Sequence, residues 1–162
     1  TQGVSSAASD VYKRQALRVV TSDTINIPNP STLAFSGTNT SVSANNLVDN
    51  TSGVNFVTLQ IQVGSIVYNT TDGSCARVTS VAANTLGLSA NIFTATSKSY
   101  SIFAENNTPA VLYIGGAGNL RVLTEGGDDV VFSGVLAGSY LPIQVLKVFS
   151  TNTTATNIVA IW

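Results

Sequence analysis

From Ala16 onward, short runs of Val, Ile, Thr, Leu and Phe are broken about every 8–12 residues by Gly, Asn, Asp or Pro. This rhythm leaves no room for long helices. It dictates short antiparallel strands joined by tight turns, the pattern of an all-β sandwich or barrel. Charged residues make up only 9% of the 162 residues, against about 25% in an average soluble domain. Ser, Thr and Asn supply the missing polarity and form about a third of the chain. A net charge of −1 lacks the electrostatic footprint of a nucleic-acid binder. No run of 18 apolar residues is present, so no membrane-spanning helix is expected. With no His and one Cys, the His-dependent triads and the usual metal sites drop out.

Residues 1–15 read differently from the rest. The hexapeptide DVYKRQ at 10–15 resembles the translated end of a transposon adapter used to prepare sequencing libraries. The segment is therefore set apart as an adapter-derived or disordered N-terminal stretch whose Val4, Val11 and Tyr12 are not expected in the core. Without it, five basic residues face seven acidic ones.

Candidate strands fall at 17–20 and 24–27, stopped by Pro28 and Pro30. Residues 39–52 are polar and Asn-rich and read as loop. Alternation resumes over 54–62, followed by strands at 65–69, 75–81, 85–89 and 100–103, with NTTDGS at 69–74 as a turn. Only 90–94 could form a single helical turn. A second block starts at Pro109, with strands over 110–114 and 119–124. Gly126-Gly127 reads as a two-residue hairpin turn, and the returning strand covers 129–135. After a turn at 138–140 come strands over 142–150 and 154–162.

Isolated candidates for chemistry reduce to structure. The run Gly115-Gly116-Ala117-Gly118 lacks the following helix that a phosphate-cradling loop needs, so it reads as a tight β-turn. Asp72, Asp128 and Asp129 lack calcium-loop spacing and read as solvated turn carboxylates. Cys75, inside a strand and without a His to activate it, reads as a small apolar filler. No catalytic, cofactor-binding or metal residue is assigned, and no enzymatic activity is expected.

The second block carries a resemblance. VLYIGGAGNLRVL at 111–123, then 127–135, then GSYLPIQVLKVFSTNTTATNIVAIW at 138–162 are similar to the head spike base proteins of tailed phages and gene-transfer agents. The terminal run of Thr151, Thr153, Thr154 and Ala155 with Ile158-Val159-Ala160 is its most specific part. VTSDTINIP at 20–28 also resembles the start of that family, where it lies just upstream of the Leu112-Tyr113-Ile114-Gly115 strand. Here roughly 75 residues separate the two, which implies an insertion. The expected organisation is two small antiparallel β sandwich or barrel blocks. One is a spike-base-like domain of residues 16–30 plus 108–162, and the other an inserted β-barrel-like module of residues 31–107. Residues 17–27 should then pair with or pack on strands from 110–162.

The resemblance implies a non-enzymatic virion protein on the capsid surface: a decoration protein or vertex spike base that forms a homo-oligomer. Its implied partners are sister subunits, the major capsid protein and a fibre protein, with no nucleic acid, membrane or cofactor. The oligomer or capsid interface is expected at Tyr140, Ile158, Val159, Ile161 and Trp162. The alternative is a carbohydrate-binding β module of a tail fibre or cell-surface protein, using Tyr and Trp faces with Asn and Thr.

Overall fold

The computed structural model describes residues 15–162; the adapter-like stretch, and with it the expectation for Val11 and Tyr12, lies outside them apart from Gln15. The strands are β1 (Ala16–Arg18), β2 (Leu33–Thr38), β3 (Ser41–Ser43), β4 (Asn46–Val48), β5 (Ile66–Asn69), β6 (Ser74–Val81), β7 (Thr85–Leu88), β8 (Ser99–Phe103), β9 (Ala110–Gly116), β10 (Gly118–Thr124), β11 (Asp129–Val135), β12 (Ser139–Val148) and β13 (Thr156–Ile161). They form two antiparallel sheets, a six-stranded one in the order β1-β13-β9-β12-β10-β11 and a seven-stranded one in the order β2-β8-β5-β6-β7-β4-β3. Pro30–Thr32, a single 3-10 turn, is the one helical element among the described residues, and 90–94 forms none.

Alternation places one face of each strand inside. In the six-stranded sheet Ala110, Leu112 and Ile114 of β9, Leu120 and Val122 of β10, and Ile158 and Ala160 of β13 meet in one core. β9 and β10 are nearly one strand, bent at Ala117, but they do not pair with each other. Instead β12 runs between them, its first half on β9 and its second half on β10. Pro142, which has no N–H for the ladder, sits where the β12–β9 register shifts between Leu141 and Val145. The amides of Thr154 and Ala155 both donate to the Asn119 carbonyl, at 2.8 and 3.0 Å. These bonds join the approach to β13 with the start of β10 and curl the sheet around its core.

The run Gly115-Gly116-Ala117-Gly118 is therefore a strand corner, not the tight turn expected from sequence. Residues 154–157 lie against it so closely that a Cβ on Gly116 or Gly118 would overlap Thr156 or the Ala155 backbone. The β10–β11 hairpin also departs from the two-residue Gly126-Gly127 turn. It closes with the Thr124 amide donating to the Asp128 carbonyl at 2.9 Å.

The seven-stranded sheet corrects two further readings. Residues 39–52 hold the β3–β4 hairpin, turned at Asn45 with φ of 54°. Its polar sequence hid the pattern, because Leu47 is its one buried apolar residue. Residues 54–62, which alternate like a strand, form turns. The Asn55 side chain accepts from the amides of Val57 and Thr58, at 3.0 and 3.2 Å, and so captures the local backbone before a ladder can. Phe56 still reaches the core and meets Phe35 and Tyr100, while Phe93 packs on Tyr100.

Within that aromatic cluster the Tyr100 hydroxyl donates to Asp49 Oδ2 at 2.6 Å, and the Thr51 amide donates to Oδ1 at 2.9 Å. Asp49 is 1% exposed. Burial pushes its carboxyl up, but the hydrogen bonds from Thr51 and Tyr100 outweigh this and hold it below the ordinary carboxylate range. Burial, and then the bond to Asp49, pushes the Tyr100 phenol up. Tyr100→Phe should cost about 2 kcal/mol and Asp49→Asn a similar amount, with the double variant losing less than the sum. A carboxyl whose folded-state value is depressed stabilises above its unfolded value and loses that contribution as pH falls. Denaturant unfolding should therefore show the wild-type chain losing more stability below about pH 4 than Asp49→Asn does.

Residues 17–27 lie between the sheets. Their backbone follows the six-stranded one: β1 pairs with β13, Val19 N–H donates to the Ile158 carbonyl, Ser22 N–H to Val148, and Ile27 N–H to Leu146. The expected strand at 24–27 contributes only that last bond and is not part of a ladder. On the other side Ile25, with Leu17 and Val20, packs against Ile66, Tyr68, Phe103 and Cys75 of the seven-stranded sheet. Burial pushes the Cys75 thiol up to about 11, with a smaller opposing effect of a Ser22 hydrogen bond. Its apolar role follows.

Candidate functional surface

Cross-strand register decides which of the expected interface residues share a face. Val159 of β13 lies opposite Tyr113 of β9, which lies opposite Tyr140 of β12. One step along the same face, Ile161 lies opposite Val111, and Pro142 follows two residues after Tyr140. Val111, Tyr113, Tyr140, Pro142, Val159 and Ile161 thus form two neighbouring rows on the outer face of β13-β9-β12. Tyr140 is 64% exposed, and its ring centroid lies 5.2 Å from that of Tyr113 at an interplanar angle of 57°. Arg18 of β1 stands beside Val159 at the margin.

Three of the five expected residues, Tyr140, Val159 and Ile161, are therefore brought together. Ile158 and Trp162 are not. Ile158 is 3% exposed in the core, and Trp162 packs on the edge of that core. The Trp162 ring N–H donates to the Thr108 carbonyl at 3.1 Å, and its amide to the Gln15 carbonyl at 3.0 Å. Val111, Tyr113 and Pro142 complete the patch but were missed from sequence. Their alternation was visible, but the pairing that sets them beside β13 spans up to about fifty residues. Both edges of β13 are paired within the chain, by β9 and β1.

Around this surface, charges are used to tie loops. The Asp23 carboxylate accepts from the Ser150 hydroxyl at 2.7 Å and from the Thr151 amide and hydroxyl at 3.0 and 2.8 Å. Those bonds, the Ser150 one foremost, lower its pKa to about 2. Two of the expected turn carboxylates are ion-paired instead of simply solvated. Arg121 grips Asp129 through two nitrogens at 2.9 and 2.6 Å, and Lys98 holds Asp72 at 2.8 Å. Each partner pulls its carboxyl below the ordinary range.

A cleft of about 370 Å³ opens between residues 18–21, the Gly73 turn and 155–158. Among the described residues Arg18 is the one ionisable group in its lining, and they bring no acid–base pair to it. Among the described residues no three of Cys, Asp and Glu gather as a metal site. What the described residues do present is the apolar and aromatic outer face of β13-β9-β12, with Tyr140 its most exposed member. The chain matches no known family model, and no curated protein or solved structure is detectably similar to it.

Proposed function

We propose that this chain is a non-enzymatic structural protein of a phage virion, a capsid-surface decoration protein or vertex spike base that oligomerises and offers a base for a fibre. The outer face of β13-β9-β12 carries the reading: Tyr113, Tyr140, Val159 and Ile161 form an apolar patch within the block that resembles head spike base proteins. Burying such a face against sister subunits and the major capsid protein contributes by the apolar area removed from water. The low content of long charged side chains fits close packing, because Lys and Glu lose the most rotamer entropy at an interface. Mass spectrometry of purified tailed particles whose genome encodes the chain should find it in fixed proportion to the major capsid protein. Antibodies raised against it should decorate intact capsids. Its presence only in the unassembled fraction of the lysate would reject the reading.

The Tyr113–Tyr140 pair, half-buried at Tyr113 and exposed at Tyr140, gives the carbohydrate-binding alternative its own support, since aromatic faces can stack on sugars. Glycan-array binding that disappears in Tyr140→Ala would select that alternative.

A further inference from the structure

The six-stranded sheet ends in β11, whose outer side is open over residues 129–133 among the described residues. Among the described residues β11 pairs only with β10. The backbone groups of β11 left free follow from its neighbour. The Arg121 amide donates to Thr153 Oγ1 and its carbonyl accepts from the Phe149 amide, so both point away from β11. In an antiparallel ladder inward and outward residues alternate. Leu120 and Val122 therefore bond to Phe132 and Val130, while the backbone of Asp129 and Val131 and the amide of Ser133 face outward. Past Ser133 the strand bulges: the register shifts between Gly118 and Leu120, Gly134 takes φ of 64°, and its amide donates to Asn119 Oδ1.

Natural edges are blunted with Lys, Pro or short length. Asp129–Val135 (DVVFSGV) has seven residues with neither Lys nor Pro, and its Asp129 is already neutralised by Arg121. Val131 and Leu136 are exposed there. Of the other free edges, β1 and β3 are three residues long, and β2, like β11, carries a register shift near one end.

We propose that β11 pairs antiparallel with β11 of a second copy of this chain, across a twofold axis at Val131, joining two six-stranded sheets into one. The occupant follows from self-complementarity. Pairing about Val131 sets outward-facing residue against outward-facing residue, as ladder bonds require. It places Val131 on the partner's Val131, Val130 on the partner's Phe132, and Asp129 on the partner's Ser133. No two carboxylates meet, and each Ser133 hydroxyl can donate to an Asp129 carboxylate. Two bonds cross the axis at Val131, and the Ser133 amide meets the Asp129 carbonyl at each end. The contact is isologous and closes at two copies, so an otherwise sticky edge does not propagate. It goes beyond the virion reading and does not depend on it, since it uses neither the β13-β9-β12 face nor a capsid.

The test is sedimentation and light scattering of the full chain, paired with amide hydrogen exchange. At high micromolar concentration Tyr140→Ser, which removes the ring from the outer face, should sediment at twice the 16.7 kDa chain mass. The amides of Asp129, Val131 and Ser133 should exchange faster on dilution, while those of Val130 and Phe132, bonded within the chain, should not. Val131→Lys puts two ammonium groups face to face and should raise the dissociation constant about tenfold or more. Ser133→Asp should weaken the pair, and Ser133→Lys should keep or tighten it. Both sites face solvent in the monomer, and unchanged circular dichroism confirms that each variant is folded. A monomer at these concentrations, or unprotected β11 amides in a dimer, would overturn the proposal and leave the edge to a strand of another protein. Equal weakening by both Ser133 variants would overturn the register.

Discussion

Ile158→Asp is expected to abolish folding of the six-stranded sheet at neutral pH, whereas Val159→Asp, one residue on, should leave the sheet folded. Ile158 is 3% exposed among Leu112, Ile114, Leu120 and Ala160, and no cation among those neighbours could pair with a carboxylate there. An unpaired charge in such a core is among the few single changes expected to cost more than about 4 kcal/mol. Val159 points to the opposite face, beside Tyr113 and within reach of solvent. Its replacement should move the denaturant midpoint little but stop association through the outer face, leaving the β11 pair as the largest species. Unfolding monitored by tryptophan fluorescence at Trp162 reads the first effect and light scattering the second. Equal stability of the two variants would contradict the inward and outward assignment.

Gly118→Ala is expected to destabilise by about 3 kcal/mol or more, far above the usual effect of one added methyl group. An alanine Cβ would lie 2.4 Å from the Ala155 nitrogen and 2.6 Å from the Thr154 carbonyl carbon. Both are backbone atoms held by the Thr154 and Ala155 bonds to Asn119, so neither can yield without opening the sheet. Ala117→Ser, one residue earlier and exposed, serves as the control and should stay within about 0.5 kcal/mol. Thermal unfolding of both variants decides the matter. A Gly118→Ala chain as stable as wild type would mean that residues 154–155 do not close against β10.

Alternation along single strands was legible before any coordinates: 110–114, 119–124 and 129–135 emerged nearly as they stand, and the all-β class with them. Two of the misread segments have local causes. Asn55 turned an alternating segment into a capped turn, and Leu47 alone carried a hairpin that looked like polar loop. The resemblance directed attention to Tyr140 and to the 158–162 run but could not separate Val159 from Ile158. Parity along a strand tells that the two face opposite ways, not which way is in. The Tyr100–Asp49 bond links positions 51 residues apart, and nothing near Asp49 announces it.

The sequence by itself determined the all-β class, most strand positions and the scarcity of chemistry-bearing groups. These follow from the two-residue period of side chains, from turn residues and from composition, all of which are local. Only the tertiary structure decided which strands are neighbours, that the glycine run is a corner packed against residues 154–157, which row of β13 faces outward, and that β11 is left with an open edge. Those outcomes depend on how distant strands close a curled sheet around one core, and the energy that selects among closures comes from burial between residues far apart in the chain.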